Sequence, residues 1–347
     1  MIKIIRSLTV IGSISSSPFI KNDIDILNKY CTVYTVDITG RLAKTKNARL
    51  LQYIKLGCNI LFNACPKIIL SDGVLIWFAD VHAVLPIILS KLLHKKCIVA
   101  IGGFEVSNMP EINYGMMREP IGLRAKICQW VIKSADTCIV PSQSYYNKTL
   151  PYVDDKKNKI YIAPDCVKNG APLTTRFYNK QNIVLMVAQA DEGNYLLKGI
   201  PYYNEAAGNI KNASFYLIGR YDESVKQKYN NIYYLGELTH DEVFYWMNLA
   251  KVYCQLSKTE SFGVSILESM TMGCIPVVTD VDNLTDIIDA NGIVVHDKFP
   301  DTITIGINVA LSKSCFDLHD AICKNTIGKI KVLCKMRERA LVNLFGI

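Results

Sequence analysis

Residues 259–278 read Thr-Glu-Ser-Phe-Gly-Val-Ser-Ile-Leu-Glu-Ser-Met-Thr-Met-Gly-Cys-Ile-Pro-Val-Val. A small turn built on Ser261 and Gly263 leads into a helix, Gly273 stops that helix, and a β-branched strand begins at Ile275. The first N–H groups of such a helix have no intrahelical acceptor, and the macrodipole adds partial positive charge there. Its N-terminus therefore suits a phosphate. Glu260 and Glu268 stand eight positions apart, one in the turn and one inside the helix. A carboxylate offers two acceptor oxygens to neighbouring hydroxyls. Phosphate together with hydroxyls describes a nucleotide sugar. A capped helix with two solvated glutamates is the bland alternative.

Outward from this cassette, short β-branched runs alternate with helical stretches. In the first half, runs 3–11, 31–36, 74–77, 97–101, 137–140 and 159–162 read as buried parallel strands. Helices are expected between them over 22–29, 47–63, 83–93 and 121–134. The pattern then restarts, with strands at 182–187, 214–218, 232–235, 252–256, 275–279 and 292–295. Helices are expected near 200–209, 224–230, 239–249, 264–272 and 283–289. Alternation of this kind builds a parallel sheet covered by helices on both faces. An α/β chain of two doubly wound domains follows, 1–172 and 173–330, joined by a linker near 167–180 that contains Gly170 and Pro172.

Composition agrees. A chain of 347 residues suits two domains, and 50% apolar content marks it as globular. The 12 cysteines form no Cys-x-x-Cys pair, and the N-terminus enters a strand directly, without a signal-peptide pattern. Unpaired thiols in a reducing cytoplasm are expected. His82, His94, His240, His296 and His319 are dispersed, without metal-ligand spacing. No metal and no cofactor are expected. No apolar run reaches the roughly 18 residues that span a bilayer.

Residues 1–170 hold 22 Lys and Arg against 12 Asp and Glu, a balance of +10; residues 171–347 hold 17 against 19, a balance of −2. The basic first half suits an anionic acceptor or an anionic membrane surface, with peripheral contact on the cytoplasmic face. A solvated lysine surface with no partner fits equally. No stacking motif or recognition helix points to nucleic acid.

The cassette resembles the retaining glycosyltransferases of GT-B architecture, the glycosyltransferase family 4-like group. Glu260 and Glu268 match its Glu-x7-Glu pattern, and Phe262-Gly263, Gly273 and Pro276-Val277-Val278 match its flanks. Ser134-Ala135-Asp136, Ala163-Pro164-Asp165, Leu217-Ile218-Gly219 and 235–238 extend the resemblance over most of the chain. The resemblance implies two Rossmann-like domains facing across a cleft, with the donor on the second domain and the acceptor on the first. It also implies a C-terminal helix, 331–347, that packs back on the first domain; a free amphipathic membrane helix is the rival reading.

It implies roles as well. Glu268 would bind the ribose hydroxyls and Glu260 the transferred sugar. Backbone N–H groups at Gly263, Val264 and Ser265, beside Phe262, would cap the diphosphate, with Lys198 neutralising it. Leu238 lies in the stretch 236–240 that would meet the base, which would be that of UDP or GDP. Gly12 and the serines after it (13–17) would contact diphosphate or acceptor. Glu105 and His82 fall on the acceptor side, where Glu105 would orient a hydroxyl or pair with an arginine. The acceptor would be a glycan or a lipid-linked hydroxyl, glycosylated with retention and without a metal.

Two departures stand out. The family's arginine after the first strand of the second domain is missing from 187–192, and Arg220 is the candidate replacement. The family's His-Gly is replaced by Gly102-Gly103, so backbone at Gly103 would approach the sugar. Asp23-Ile24-Asp25 resembles a metal-binding Asp-x-Asp but reads as helix surface. An epimerase would need acid–base residues not found here, and a phosphorylase a lysine-bound pyridoxal group. A non-catalytic nucleotide-sugar-binding or scaffold protein is the alternative from another class.

Overall fold

The computed structural model describes residues 5–40, 46–153, 159–165, 167, 180–226, 229–297 and 299–347. The chain forms two compact units. The first comprises Met1–Pro110, Tyr114–Cys166 and Leu333–Ile347; the second comprises Glu111–Asn113 and Val167–Val332.

In the first unit the strands are β1 (Ser7–Gly12), β2 (Thr32–Asp37), β3 (Gly73–Trp77), β4 (Lys96–Ala100), β5 (Thr137–Val140) and β6 (Lys159–Ile162). They pair in parallel in the order β2-β1-β3-β4-β5-β6. The helices are α1 (Pro18–Leu27), α2 (Lys46–Asn59), α3 (Cys65–Leu70), α4 (Val84–Leu92), α5 (Leu123–Ser134) and α6 (Gln143–Thr149). A π-helical turn, Ile60–Ala64, joins α2 to α3. Successive strand residues face opposite sides. Val74 and Ile76 of β3 join one core with Ile60, Ile68, Ile87 and Val131. Leu75 and Trp77 join another with Ile20, Leu27, Leu341 and Phe345.

In the second unit the strands are β7 (Gln181–Val187), β8 (Ser214–Ile218), β9 (Ile232–Gly236), β10 (Ala250–Gln255), β11 (Ile275–Thr279) and β12 (Ile293–Val295). Their order is β12-β11-β10-β7-β8-β9, again all parallel. The helices are α7 (Glu192–Tyr195), α8 (Ile200–Asn209), α9 (His240–Leu249), α10 (Val264–Thr271), α11 (Leu284–Ile288), α12 (Pro300–Lys313) and α13 (Phe316–Phe345). The residues of α13 from Leu333 onward belong to the first unit.

Each of the twelve expected runs overlaps a strand. The helices differ more. Proline at the first position starts α1 four residues before the expected onset. The helix expected over 224–230 is a 3₁₀ turn, Glu223–Val225, because this polar stretch has almost nothing to bury; residues 227–228 lie outside the described residues. Helices α3, α6, α7 and α12 were not anticipated, and α13 begins at Phe316, ahead of the expected 331. Most of the expected linker, 167–180, also lies outside the described residues.

Two expectations fail outright. Asp23 is not surface: it is 1% exposed. On α1 it shares a face with Ile20 and Leu27, three and four residues away, so helical spacing turns it into the core. The indole of Trp77 donates to its Oδ2 at 3.1 Å, and Arg337 takes both of its oxygens. The thiols are not all unpaired either. Cys97, Cys128, Cys138, Cys254 and Cys274 are buried and free, but Cys334 is disulfide-bonded.

Candidate active site

The second unit gathers Lys198 and Glu260 at the carboxyl end of β10. Lys198 Nζ lies 2.8 Å from Glu260 Oε2. Gly199 follows in the left-handed region, φ 68°, and caps α8. A Cβ there would stand 2.1 Å from the Leu256 carbonyl oxygen, so backbone packing demands glycine beside the lysine. Gln255 Nε2 donates to the same Glu260 oxygen at 2.7 Å, and Ser257 Oγ at 3.3 Å. Glu260 Oε1 has no hydrogen-bond partner among the described residues. Asp282, in the loop after β11, accepts from the Glu260 amide at 2.8 Å and so holds the turn in place.

Gly263 adopts φ 84° and caps α10. The first amides able to reach an acceptor in that helix are those of Ile266 and Leu267, both bonded to the Gly263 carbonyl. The amides of Val264 and Ser265 precede them and meet no acceptor among the described residues. Phe262 is buried beneath the turn. Glu268 lies one turn further along α10, largely buried, with Oε1 3.0 Å from His240 Nε2. Burial pushes the Glu268 carboxyl above the usual range, and His240 opposes that shift. His240 opens α9 behind a capping box of Thr239 and Glu242, which fixes the turn carrying half-buried Leu238.

Arg220 follows β8. Gly219 before it has φ 132°, and a Cβ there would lie 2.2 Å from the Ala188 carbonyl oxygen. The Arg220 guanidinium donates to Asp191 Oδ2 at 3.1 Å and to Gln189 Oε1 at 3.3 Å. It therefore has an anionic partner of its own.

The first unit has a cavity of about 390 Å³, lined among others by Phe78, Asp80, His82, Gly102, Glu105 and Arg124. Glu105 is buried and accepts from the amides of Gly103 at 2.7 Å, Gly102 at 3.0 Å and Ala79 at 3.3 Å. Burial raises its pKa and these amides pull the other way. Gly102 has no room for a side chain, because a Cβ would lie 2.3 Å from the Phe78 ring. Gly103 has φ 127°. Arg124 grips Asp80 through both of its oxygens. Burial works against the Asp80 charge, yet the guanidinium keeps its pKa below the usual value. His82 is buried, 3.0 Å from the Trp77 carbonyl oxygen, and burial lowers its pKa.

Gly12 ends β1 and is explained by packing: a Cβ would stand 2.9 Å from that of Trp77. The serine-rich loop after it is organised by Asp37, which accepts from the amides of Ile14 at 3.0 Å and Ser15 at 3.2 Å. Sequence reasoning missed Asp37, Gln255, Ser257 and Asp282. Gln255 alone carried a signal, as an amide side chain ending an apolar strand. No group of three or more metal-ligating side chains occurs among the described residues.

The fold has known relatives. Residues 181–313 match the family model "Glycosyl transferases group 1". Sucrose-phosphate synthase from Thermosynechococcus elongatus superposes with TM-score 0.71 at 14% identity, covering 98% of this chain and 97% of that one. HepE of Anabaena, solved in complex with UDP, gives 0.69 at 14% identity, covering 99% and 100%. WaaG, a glycosyltransferase involved in lipopolysaccharide biosynthesis, gives 0.67 at 14% identity, covering 98% and 100%. The fold is GT-B, with two Rossmann-like units. No curated protein sequence matches the chain.

Proposed function

We propose, for a chain whose residues 181–313 match the group 1 glycosyl transferases on a GT-B fold, that it transfers a sugar from a nucleoside-diphosphate donor. The donor is UDP- or GDP-linked. The acceptor is a hydroxyl of a glycan or a lipid-linked molecule. Transfer retains the anomeric configuration and uses no metal.

The observation that carries the reading is the Lys198–Glu260 contact of 2.8 Å in the same unit as the open N-terminus of α10. A diphosphate leaving group develops negative charge. An ammonium group and helix amides fixed in advance stabilise that charge without reorganising. Glu260 restrains the lysine and keeps Oε1 for a sugar hydroxyl. Glu268 offers its carboxylate to adjacent ribose hydroxyls. Nothing among these residues is placed as a covalent nucleophile, so the protein acts by positioning the reactants and by electrostatics. Gly103, His82 and Glu105 serve the acceptor side, where Glu105 shapes the glycine loop. The +10 balance of residues 1–170 suits contact with an anionic membrane surface.

One observation favours a second reading, donor binding without transfer. Arg220 is engaged by Asp191, and residues 187–192 contain no arginine. Calorimetry with UDP, GDP and their common sugars, on wild type and Glu268→Ala, tests the first step. One nucleotide should bind wild type and lose affinity in the variant. Binding without any turnover over a panel of acceptors would favour the second reading, and no binding at all would sink both.

A further inference from the structure

The helices covering one side of the first unit's sheet carry an apolar outer face. Residues 46–70 run as α2, the π-helical turn and α3. Their inner side, including Ile60, Ala64 and Ile68, lies in the core. On the other side Leu51, Ile54, Leu61 and Ile69 recur at steps of three, seven and eight, and all four are exposed. Phe62 beside them is 74% exposed. Helix α4 repeats the pattern with Leu85, Ile88 and Leu92, the last 71% exposed. Helix α5 adds Leu123, 77% exposed, and Trp130, 41% exposed. Helix α4 touches both α3 and α5, so the stripes lie side by side in one layer. Contiguous apolar surface of this kind marks an interaction site.

Charge identifies the occupant. Segments 46–70, 84–96 and 123–133 contain ten Lys or Arg residues and no Asp or Glu; Arg124 is committed to Asp80 and Lys67 and Lys95 to backbone carbonyls, while Lys55, Lys91 and Lys126 stand exposed. A second copy of the same face would bring like charge against like. An anionic bilayer offers what the face lacks on both counts, acyl chains for the apolar stripes and phosphates for the lysines. No helix among the described residues is long and apolar enough to cross a membrane.

We propose that the outer face of α2–α3, α4 and α5 seats the first unit on an anionic lipid bilayer. Leu61, Phe62, Leu92 and Leu123 enter the boundary between headgroups and acyl chains, and exposed Lys55, Lys91 and Lys126 hold lipid phosphates. This mode combines insertion with charge attraction; it rests on the membrane contact proposed above, gives that contact its surface, and stands whether or not sugar transfer does.

Sedimentation with vesicles of phosphatidylcholine, with and without phosphatidylglycerol, tests it on the full chain. Wild type should pellet with the anionic vesicles and release as salt rises. Lys55→Glu, Lys91→Glu and Lys126→Glu together should weaken binding by roughly 100-fold. Leu61→Gln, Phe62→Gln and Leu92→Gln together should also lose it, with the melting temperature unchanged because these side chains are exposed. Three results would each overturn the proposal. Wild type fails to pellet with either vesicle; the glutamine variant binds as tightly as wild type; or wild type is a lipid-free dimer that the glutamine variant splits.

Discussion

Arg337 and Asp23 form a buried, two-pronged ion pair between residues 314 positions apart in the chain. Nε meets Oδ1 at 2.8 Å and Nη2 meets Oδ2 at 2.6 Å, while Nη1 donates to the Ala163 carbonyl at 3.0 Å. The guanidinium also lies 5.1 Å from the Trp77 ring centroid. Each of the three guanidinium nitrogens meets an acceptor, which is what a buried cation requires.

Removing one partner of such a pair leaves a bare buried charge. Arg337→Met should lower unfolding stability by about 3–5 kcal/mol in urea titrations. Asp23→Leu combined with Arg337→Met should recover much of that loss. If Arg337→Met alone unfolds at the wild-type urea midpoint, the pair does not organise this end of the first unit.

Asp165 lies 3.8 Å from the same guanidinium, and burial pushes its pKa up to about 6, with Arg337 opposing. Its unfolded value is about 3.9. The folded state therefore binds the proton more tightly. The resulting stabilisation is complete below the unfolded pKa and is lost as pH rises through about 6. Wild type should lose on the order of 1–2 kcal/mol between pH of about 4 and 7 from this group alone. Asp165→Asn should flatten that slope, which melting curves at a series of pH values will show.

Lys198 and Glu260 should behave as a unit in turnover. Lys198→Ala should lower kcat by about 100-fold or more, with a smaller change in donor affinity, because the cation acts chiefly on the charge of the departing diphosphate. Glu260→Gln should lower kcat in the same direction by leaving the lysine unrestrained. The double variant should be little worse than Lys198→Ala. Additive losses in steady-state kinetics would show that the two side chains act separately.

Both oxygens of Glu268 accept from adjacent ribose hydroxyls only while it is ionised, since protonation turns one of them into a donor. Because its pKa is raised, nucleotide affinity should fall on acidification at a higher pH than an ordinary glutamate would give, above about 4.3. His240→Ala removes the group that opposes the shift, so the fall should move to still higher pH. Calorimetric titrations over a pH series check the direction, and a His240→Ala profile displaced to lower pH would contradict it.

The sheets were legible because a parallel strand buried on both faces must be largely apolar, as the all-buried β3 is. The turn at Glu260 and the helix that carries Glu268 were legible because a turn, a glycine stop and a strand fix where that helix begins, whereas Lys198 was drawn from the family resemblance alone. What escaped was polar structure with no local pattern. Asp23 needed Arg337, 314 residues away, to explain its burial. Asp282 and Gln255 matter only because the loops after β11 and β10 converge on Glu260. Helix α12 packs on β10, β11 and β12 behind the sheet, and no motif announced it.

The glycine loop of the first unit carries its own anion. The amides of Gly102 and Gly103, the sort of donors that elsewhere cradle a phosphate, are already answered by Glu105. Arg124, the one cation among the described residues lining that cavity, is already answered by Asp80. The cavity is thus electrically self-contained, and a phosphate entering it would face two carboxyl groups with no uncommitted cation. Exposed lysines such as Lys55, Lys91 and Lys126 stand on helix surfaces instead, and the cavity is left to neutral hydroxyls.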